Sequence, residues 1–588
     1  MPTRRIALFA VLFACACGSS PPRTDSTTSG GQSTEQPASD DARPAANPAS
    51  EIAAYVAAQV DAYRPLRVAA SLAWYESSAS GSDEDFARSK EAESQLNRFL
   101  ADPERFARIR QLHDGKAIAD PLLARQVEIF YLGMLGKQVD AELLAEITGL
   151  EKEVEQLFNA YRGTVAGKTM SQNQIEAILD TSTDSRKLRQ AWEAQKDVGR
   201  AVAPKLLALV ELRNQVAQKL GFRDFYAMRL AESELDETEL LATFDELDEL
   251  TREPFLKAKA TVDARLAKRL RIATKALMPW HYQNPFFQEP PNVFNTGLDA
   301  IYKTQDTLAL CRRFYEGIGL DLADIIERSD LYEKPGKTPH AFATDIDREG
   351  DIRVLANIVP GLRWQSTMVH ELGHAVYDKY IASKLPWLLR EVTHPMTTEG
   401  MAMMLERPVT NPLWAEAMGI MTAAQAKAAM AEARAYQAFA ALQFSRWTQV
   451  MLRFEREMYR DPKQDLNKLW WDLVERYQGL HRPPGRVAPD YASKVHLVVA
   501  PVYYQNYMLG ELFAAQVHEA IASELGTPPE TTIYVGDTRV GQFLQEKVFG
   551  PGSLYRWDEL TRRATGNALS AAAFARRFQA AGSTASNP

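Results

Sequence analysis

Hydrophobic residues recur at helical spacing along most of the chain beyond residue 50. Intervals of three and four residues place such positions on one helix face, as they do in residues 206–220, 234–250 and 423–451. In the first stretch the apolar positions are Leu206, Leu207, Val210, Leu212, Val216 and Leu220. Alanine, leucine, glutamate, lysine and arginine dominate these stretches, and all five favour helix. The pattern predicts a mainly α protein.

One short region departs from this helical pattern. Residues 351–358 are rich in β-branched side chains and follow the turn-like pair Glu349-Gly350. Together with residues 340–346, which come just before them, they predict a small hairpin or edge sheet. No alternating run elsewhere is long enough to predict a large sheet.

The length of the chain bounds its organisation. It has 588 residues, more than one hydrophobic core normally serves, so two lobes or subdomains are expected. Residues 51–588 contain no internal repeat and no low-complexity linker, and we expect them to form one unit. The formal net charge is −8 and the pI is near 5.8. This mild acidic excess argues against nucleic acid as the main partner and leaves peptide-sized ligands open.

The first residues are typical of an export signal. Residues 1–17 contain two arginines, an apolar run too short to span a bilayer, and small residues with Cys15 and Cys17. A cysteine at the cleavage site resembles a bacterial lipoprotein signal, and either cysteine fits it loosely. An ordinary cleaved signal peptide that happens to contain cysteines is the alternative. Residues 18–50 are rich in Ser, Thr, Pro and Gly and cannot bury enough apolar surface to fold.

These segments predict an exported protein that is lipid-anchored to the bacterial cell envelope through a flexible tether. An inert linker is the alternative for residues 18–50. Neither cysteine is followed by aspartate, which favours the outer membrane in bacteria that use that sorting rule. Cys311 is the only other cysteine, so no internal disulfide is expected. It lies in an apolar helical stretch, which predicts a buried and inert thiol.

The strongest chemical signal is His-Glu-Leu-Gly-His at residues 370–374, inside a predicted helix over 365–380. Histidines at positions i and i+4 project from one helix face and can bind a single ion. Neutral imidazole is a good zinc ligand, and zinc lowers the pKa of its bound water and polarises a substrate carbonyl. His370 and His374 are therefore predicted to bind one zinc ion per chain. Glu371 is the predicted general base that activates the zinc-bound water.

A surface helix whose histidines bind nothing is the competing interpretation. The neighbours of the motif argue against it, because apolar residues flank both histidines and predict a buried helix. Burying two histidines and a glutamate without partners costs several kcal/mol, and a metal is the simplest partner. The apolar neighbours are Val369, Leu372, Ala375 and Val376.

The third metal ligand has to come from further along the chain. The position at which a third histidine would complete the metzincin pattern is Tyr380, so a carboxylate on a following helix is the remaining option. Glu399 stands 25 residues after His374, where a cap at Thr397 or Thr398 would place it in the first turn of a helix. Glu391 and Glu406 are the alternatives, and we prefer Glu399.

These residues, and segments spread over most of residues 51–588, resemble the angiotensin-converting-enzyme-like metallopeptidases. Residues 340–345, His-Ala-Phe-Ala-Thr-Asp, resemble the family's His-Ala-Ser-Ala-Trp-Asp. The pair Trp470-Trp471 and the later Tyr-Gln-Gly at 477–479 resemble a second family segment, and we assign them no catalytic role. The resemblance implies that His340 and Ala341 bind the backbone of a peptide substrate.

A third resembling segment runs from Lys494 to the His-Glu-Ala at residues 518–520. Counting back from that end places Tyr507 on the family's transition-state tyrosine and Tyr504 on its preceding tyrosine, with one extra residue between His496 and Tyr504. The resemblance implies that His496 and Tyr507 donate hydrogen bonds to the oxyanion. It also implies that Lys494 and Tyr504 bind the C-terminal carboxylate of the substrate.

The chain also departs from the family pattern. Met403 stands where the family has an aspartate four residues after the ligand glutamate, so a ligand histidine needs another hydrogen-bond partner. The family glutamine that helps to bind the carboxylate has no clear match, and Tyr282 or Gln283 could take its place. The family's disulfides are absent. These departures bear on specificity more than on zinc hydrolysis.

The expected fold is mainly α, a two-lobed helical metallopeptidase with a deep central channel and a small β element. The expected function is zinc-dependent hydrolysis of oligopeptides with release of C-terminal dipeptides, by a monomer whose only membrane contact is its lipid anchor. An oligoendopeptidase of the thimet-oligopeptidase type is the nearest alternative. A catalytically silent peptide-binding lipoprotein is the other, and the intact Glu371 argues against it.

Overall fold

Short polar caps mark where many of the helices begin. In the computed structural model, which describes residues 48–116 and 118–583, Asp102 accepts the N–H of Arg105 at 2.8 Å and Asp120 accepts the N–H of Leu122 at 2.9 Å. Each aspartate precedes a proline at the first helical position, where proline is best tolerated.

The first helices have a small hydrophobic core of their own, which includes Phe99, Phe130 and Trp387. These helices are α1 (Pro48–Ser80), α2 (Asp83–Leu100), α3 (Pro103–Asp114) and α4 (Pro121–Leu135). The main core is built by the helices that follow. Those up to residue 270 are α5 (Ala141–Ala160), α6 (Gln172–Thr181), α7 (Ser185–Lys196), α8 (Val198–Lys219), α9 (Phe225–Glu232) and α10 (Glu237–Leu270).

The remaining helices complete the main core and carry the residues of the predicted site. They are α11 (Leu298–Tyr302), α12 (Thr307–Gly317), α13 (Ala323–Arg328), α14 (Leu362–Lys379), α15 (Pro395–Glu406), α16 (Pro412–Ala417) and α17 (Ala423–Arg460). After them come α18 (Leu466–Leu473), α19 (His496–Val499), α20 (Gln505–Leu525), α21 (Thr538–Leu544), α22 (Trp557–Thr565) and α23 (Ala572–Ser583).

The mainly α fold class is confirmed, and so is the predicted hairpin. Strand β3 (Phe342–Asp345) pairs antiparallel with β4 (Ile352–Leu355), with Phe342 opposite Leu355. A second hairpin, β1 (Gly163–Val165) with β2 (Lys168–Met170), was not predicted. Its strands have three residues each, too few to show an alternating pattern. The two lobes and the deep channel stay predictions.

Several expectations concern residues at the edges of the described part. The predicted signal and nearly all of the tether, residues 1–47, lie outside the described residues, and α1 begins at Pro48. Within the described part, no helix is long and apolar enough to cross a membrane.

Cys311 on α12 is free and fully buried, and burial raises the pKa of its thiol to about 12. The expectation of an inert buried thiol agrees with this environment.

Three helices approach one another closely because small residues line their contacts. A methyl group added at Gly373 of α14 would lie 2.9 Å from the Cα of Ala402 in α15. One added at Gly400 of α15 would lie 2.7 Å from the carbonyl oxygen of Gly510 in α20. Contacts this short leave no room for a side chain, so α14, α15 and α20 pack backbone against backbone.

Replacing Gly400 by alanine is expected to push α15 away from α20. Overpacking of this kind lowers the free energy of unfolding by about 1–3 kcal/mol. The matched control is Gly149→Ala on α5, where the added methyl group would meet no atom within 4 Å. That change should raise stability by about 0.5–1 kcal/mol through helix propensity. Denaturant unfolding of the metal-free proteins measures both, and equal stability of the two variants would contradict the close packing.

Candidate functional site

Two histidines of α14 meet at one point. His370 and His374 are one helical turn apart, and their Nε2 atoms lie 3.1 Å from each other. The Nδ1 of His370 lies 3.0 Å from Oε2 of Glu406, and the Nδ1 of His374 lies 2.6 Å from Oγ1 of Thr398. With its proton on Nδ1, each imidazole donates to that oxygen and presents the Nε2 lone pair to the shared point.

Glu399 of α15 brings a carboxylate to the same point. Its Oε2 lies 3.7 Å from the Nε2 of His370 and 4.0 Å from the Nε2 of His374. The three candidate ligand atoms lie within 4.8 Å of one another. Over residues 48–116 and 118–583, this is the group of His, Cys, Asp or Glu side chains whose spacing could hold a metal ion.

The two alternative glutamates have other partners. Glu391 forms an ion pair with Arg348, away from the Nε2 atoms, and Glu406 contacts the outer nitrogen of His370. The expected cap at Thr397 or Thr398 was wrong. His394 caps α15 by accepting the N–H of Met396 at 3.0 Å, because Pro395 fixes the first helical position one turn earlier than expected.

Thr398 does not cap α15 but forms a hydrogen bond with His374. Its hydroxyl accepts from His374, and Glu399 comes directly after it on α15. Two adjacent residues of α15 therefore contact the two ring nitrogens of His374: Thr398 lies at Nδ1, and Glu399 lies near Nε2. The threonine hydroxyl fixes the ring of His374 while the carboxylate of Glu399 faces the Nε2 atoms.

Glu371 is a buried polar group of the site. It is fully buried, and among the described residues neither carboxylate oxygen has a hydrogen-bond partner. Burial, with the repulsion of Glu399 and Glu406, raises the pKa of this carboxyl well above its usual range, although His370 acts against the rise. A raised pKa makes the carboxylate form of Glu371 a stronger base than an exposed glutamate.

The two histidines differ in their electrostatics. Burial, and then the proximity of His370, holds the pKa of His374 well below its usual range, so this ring is neutral. Burial also lowers the pKa of His370, but the carboxylates of Glu399 and Glu406 outweigh it and raise the pKa overall. A metal ion at the Nε2 atoms has to displace that proton, so metal uptake at this site releases protons.

The residues present fit a zinc ion. Two imidazole nitrogens and one carboxylate oxygen are the donor set of many catalytic zinc sites, and both rings have an oxygen partner on Nδ1 that sets their orientation. Three protein donors leave a coordination position open, as catalysis requires. The buried and unpartnered carboxylate of Glu371 needs a nearby cation or water for the same reason.

A tyrosine-rich segment that includes Tyr503 and Tyr507 approaches Glu399. Tyr507 of α20 is buried, and its ring centroid lies 5.3 Å from that of Tyr503. Burial and the charge of Glu399 raise the pKa of Tyr507 well above its usual range, so it remains a protonated donor. The Tyr503 hydroxyl donates to Oε1 of Glu399 at 3.5 Å. Both ring nitrogens of His496 are buried and have no hydrogen-bond partner in the described part of the chain, and burial keeps the ring neutral by lowering its pKa.

A second polar group lies next to this segment. Lys494 donates to Oε1 of Gln288 at 2.7 Å, and the Tyr504 hydroxyl donates to the same oxygen at 3.4 Å. Burial lowers the pKa of Lys494 to about 7, against the attraction of Glu289. A buried ammonium, a phenol and an amide that share one point can bind a carboxylate.

The predicted substrate strand packs against α14. Ala341 is buried and His340 is exposed, and both come directly before β3. The exposed imidazole of His340 is accessible to a ligand, and its role in binding a peptide stays a prediction.

Comparison with known proteins identifies the family. A sequence model of the Peptidase_M2 family, described as angiotensin-converting enzyme, matches residues 47–281 and 284–583. The chain belongs to the angiotensin-converting enzyme family of metallopeptidases. The predicted family resemblance is thereby confirmed.

Individual members of the family are distant relatives of this chain. It is 23% identical to the angiotensin-converting enzyme-like protein Ace3 of Mus musculus over 69% of this chain and 59% of that protein. It is 25% identical to the angiotensin-converting enzyme of Bos taurus over 68% of this chain and 33% of that enzyme. It is 21% identical to the enzyme of Theromyzon tessulatum over 77% and 78% of the two chains. The chain thus spans only part of the mouse and cattle relatives.

The structure shows which residues stand in for two features of the angiotensin-converting-enzyme pattern that this chain lacks, and which do not. Met403 cannot bind a ligand histidine, but Glu406, seven residues after Glu399, faces the same way along α15 and contacts His370. The expected place for the carboxylate-binding glutamine was wrong. Tyr282 donates to Asp263 at 2.8 Å and Gln283 donates to the carbonyl of Asp180 at 2.7 Å, so both are used elsewhere.

Gln288 and Tyr503 were missed by the sequence analysis. Gln288 follows Phe287, whose φ of 49° turns the chain in a way that no helical or strand pattern describes. Tyr503 adjoins Tyr504, and counting along the sequence assigns only one of two adjacent tyrosines to a family position. The paired tyrosines themselves were the available signal.

Removing the outer partner of His370 is expected to weaken metal binding. Glu406→Ala leaves the Nδ1 proton of His370 without its acceptor, and losses of such partners typically cost about 10–100-fold in metal affinity. The matched control is Glu391→Ala, which breaks an ion pair outside the cluster. Chelator competition for zinc measures both affinities. A loss of affinity in the control equal to that in Glu406→Ala would contradict the role of Glu406.

Proposed function

We propose that this member of the angiotensin-converting enzyme family is a zinc peptidase that releases dipeptides from the free C-termini of oligopeptides. The observation that carries the proposal is the placement of two chemically distinct groups along one chain segment. Tyr503 reaches the metal-binding cluster at Glu399, and Tyr504 reaches the carboxylate-binding group at Gln288. A peptide held by its terminal carboxylate at the second group would present an internal bond to the first.

His370, His374 and Glu399 are the proposed ligands of one zinc ion. When bound, zinc supplies Lewis-acid polarisation of the substrate carbonyl and makes water a stronger nucleophile near neutral pH. The outer contacts with Glu406 and Thr398 hold the two imidazoles so that both Nε2 atoms face the ion.

Glu371 is the proposed general base. Its carboxylate takes the proton of the attacking water, and the resulting carboxylic acid passes that proton to the leaving nitrogen. Tyr507 and His496 donate hydrogen bonds to the oxyanion that forms on the carbonyl, and one donor of this kind is worth about 2.7–4 kcal/mol of barrier. Burial keeps Tyr507 as a phenol with its O–H and His496 as a neutral imidazole with one N–H, so each group has a hydrogen to donate.

Binding residues give the substrate its direction. Lys494, Tyr504 and Gln288 bind the terminal carboxylate, while His340 and Ala341 bind the backbone beyond the scissile bond. The two-residue spacing between the bond and the C-terminus comes from the family resemblance. The predicted export and lipid anchor at Cys15 or Cys17, the monomeric state and the absence of nucleic-acid partners rest on the sequence.

A blocked-N-terminus, free-C-terminus tripeptide tests the proposed function. The protein should release the C-terminal dipeptide, stop when zinc is chelated and resume when zinc is returned, with products identified by mass. The Glu371→Gln variant should keep one zinc per chain and lose at least about 100-fold in turnover, because the amide cannot accept the proton. Internal cleavage alone would favour an oligoendopeptidase, and bound zinc without cleavage of any peptide would favour a silent peptide-binding protein.

The pKa of Lys494 gives a second prediction. Only the protonated lysine pairs with a carboxylate, and its pKa of about 7 means that this form declines as pH rises above 7. The KM for the free-acid tripeptide should therefore rise by up to about tenfold per pH unit above that value. An amidated tripeptide and the Lys494→Met variant should both give high KM values that do not change over this range. A pH-independent KM for the free acid in the unaltered protein would contradict the assignment.

A further inference from the structure

The turn before the site tyrosines contains a residue in an unusual conformation. Val502 has a φ of 56°, and it comes directly before Tyr503 and Tyr504. A β-branched side chain rarely adopts a positive φ, because its Cβ crowds the backbone. Such a conformation persists only where the surroundings hold it, and it often occurs at functional sites.

Both backbone polar groups of Val502 are held by buried side chains. Its N–H donates to Oε1 of Glu455 at 2.9 Å, and its carbonyl accepts from Nε2 of Gln505 at 2.7 Å. Glu455 and Gln505 are 2% and 1% exposed, so water cannot replace either partner. Glu455 belongs to α17, which anchors the turn to the main core.

The held turn sends two adjacent side chains to different groups. Tyr503 points to Glu399 and Tyr504 points to Gln288, and α20 with Tyr507 begins directly after them. The positive φ of Val502 forms part of the turn that connects α19 to α20.

We propose that Glu455 is a positioning residue, which fixes the tyrosine turn by binding the N–H of Val502 and thereby sets the two halves of the site relative to each other. The inference rests on the proposed function, since it assigns Tyr504 to the carboxylate and Tyr507 to the oxyanion. Glu455 touches neither substrate nor metal, and it acts through Val502.

The ionisation state of Glu455 shapes the choice of variants. Burial raises the pKa of its carboxyl to about 8, while the N–H of Val502 and the charge of Arg213 lower it. At neutral pH the side chain is therefore mainly an uncharged acceptor. Glutamine has the same shape and also accepts through its carbonyl oxygen, so Glu455→Gln should preserve the contact. Glu455→Leu removes the acceptor and leaves a buried N–H without a partner.

The experiment compares three variants of the full protein loaded with zinc. Glu455→Leu should lower kcat by about 10-fold or more and reduce the preference for a free-acid over an amidated tripeptide, with one zinc still bound per chain. Glu455→Gln should stay within about threefold of the unaltered protein in both quantities. Gln449→Leu is the matched control, because Gln449 lies on the same helix and donates to the carbonyl of Phe244, away from the turn. It should leave the substrate preference unchanged.

Hydrogen exchange gives a readout that does not depend on catalysis. Amides in peptides covering residues 500–507 should exchange at least about tenfold faster in Glu455→Leu than in Glu455→Gln or Gln449→Leu. Gln505→Met, which removes the other partner of Val502, should speed the same exchange if Glu455→Leu does not fold.

The outcomes separate this inference from the proposed function. Equal exchange and equal substrate preference in Glu455→Leu and Gln449→Leu would overturn it, and so would a Glu455→Gln variant as impaired as Glu455→Leu. If the unaltered protein cleaves no peptide, the proposed function fails. The exchange comparison then decides alone whether Glu455 fixes the turn: faster exchange supports the inference, and unchanged exchange overturns it.

Discussion

The close approach of α14, α15 and α20 is the constraint on which the site depends. His370 and His374 flank Gly373, Glu399 precedes Gly400, and Tyr507 lies one turn before Gly510. Close backbone contacts between these helices occur at Gly373, Gly400 and Gly510, and each glycine lies within one turn of a site residue on its own helix. Backbone contact sets the distance between the helices, and that distance brings imidazole nitrogens and a carboxylate within 4.8 Å. The glycine inside the His-Glu-Leu-Gly-His motif is therefore as necessary to the geometry as the histidines.

The polar groups at this centre are buried, so they interact with one another rather than with water. Glu371 is buried and has no hydrogen-bond partner among the residues that the structure describes, and Glu399 and Glu406 add negative charge beside it. Burial of this much polar surface is costly unless a cation occupies the shared point. The same low-dielectric surroundings keep His496 and Tyr507 neutral, which suits them to donate to a developing oxyanion. The buried polar groups that the proposed catalysis needs are therefore expected to destabilise the protein when no metal is bound.

Local sequence patterns predict many of the helices and the two histidines of the metal-binding cluster. The helical spacing of residues 206–220 corresponds to α8, and the i, i+4 histidines lie on α14 as expected. What the sequence did not indicate depends on contacts between distant segments. Glu406 accepts the hydrogen bond from a ligand histidine that the family pattern assigns to position 403. The two positions lie on the same side of α15, but the sequence spacing alone does not show which of them makes the contact. Gln288 reaches Lys494 through an irregular segment that contains Phe287 at positive φ, and no periodicity describes such a path. The β1–β2 hairpin has strands too short for a pattern to register.

The proposed chemistry requires that His370, His374 and Glu399 together hold a zinc ion. Anomalous diffraction at the zinc absorption edge, from crystals of the protein grown with zinc, tests it directly. We predict a single strong anomalous peak in contact with both Nε2 atoms and a carboxylate oxygen of Glu399. A peak bound by other residues, or no peak at this cluster in crystals that hold zinc elsewhere, would contradict the account.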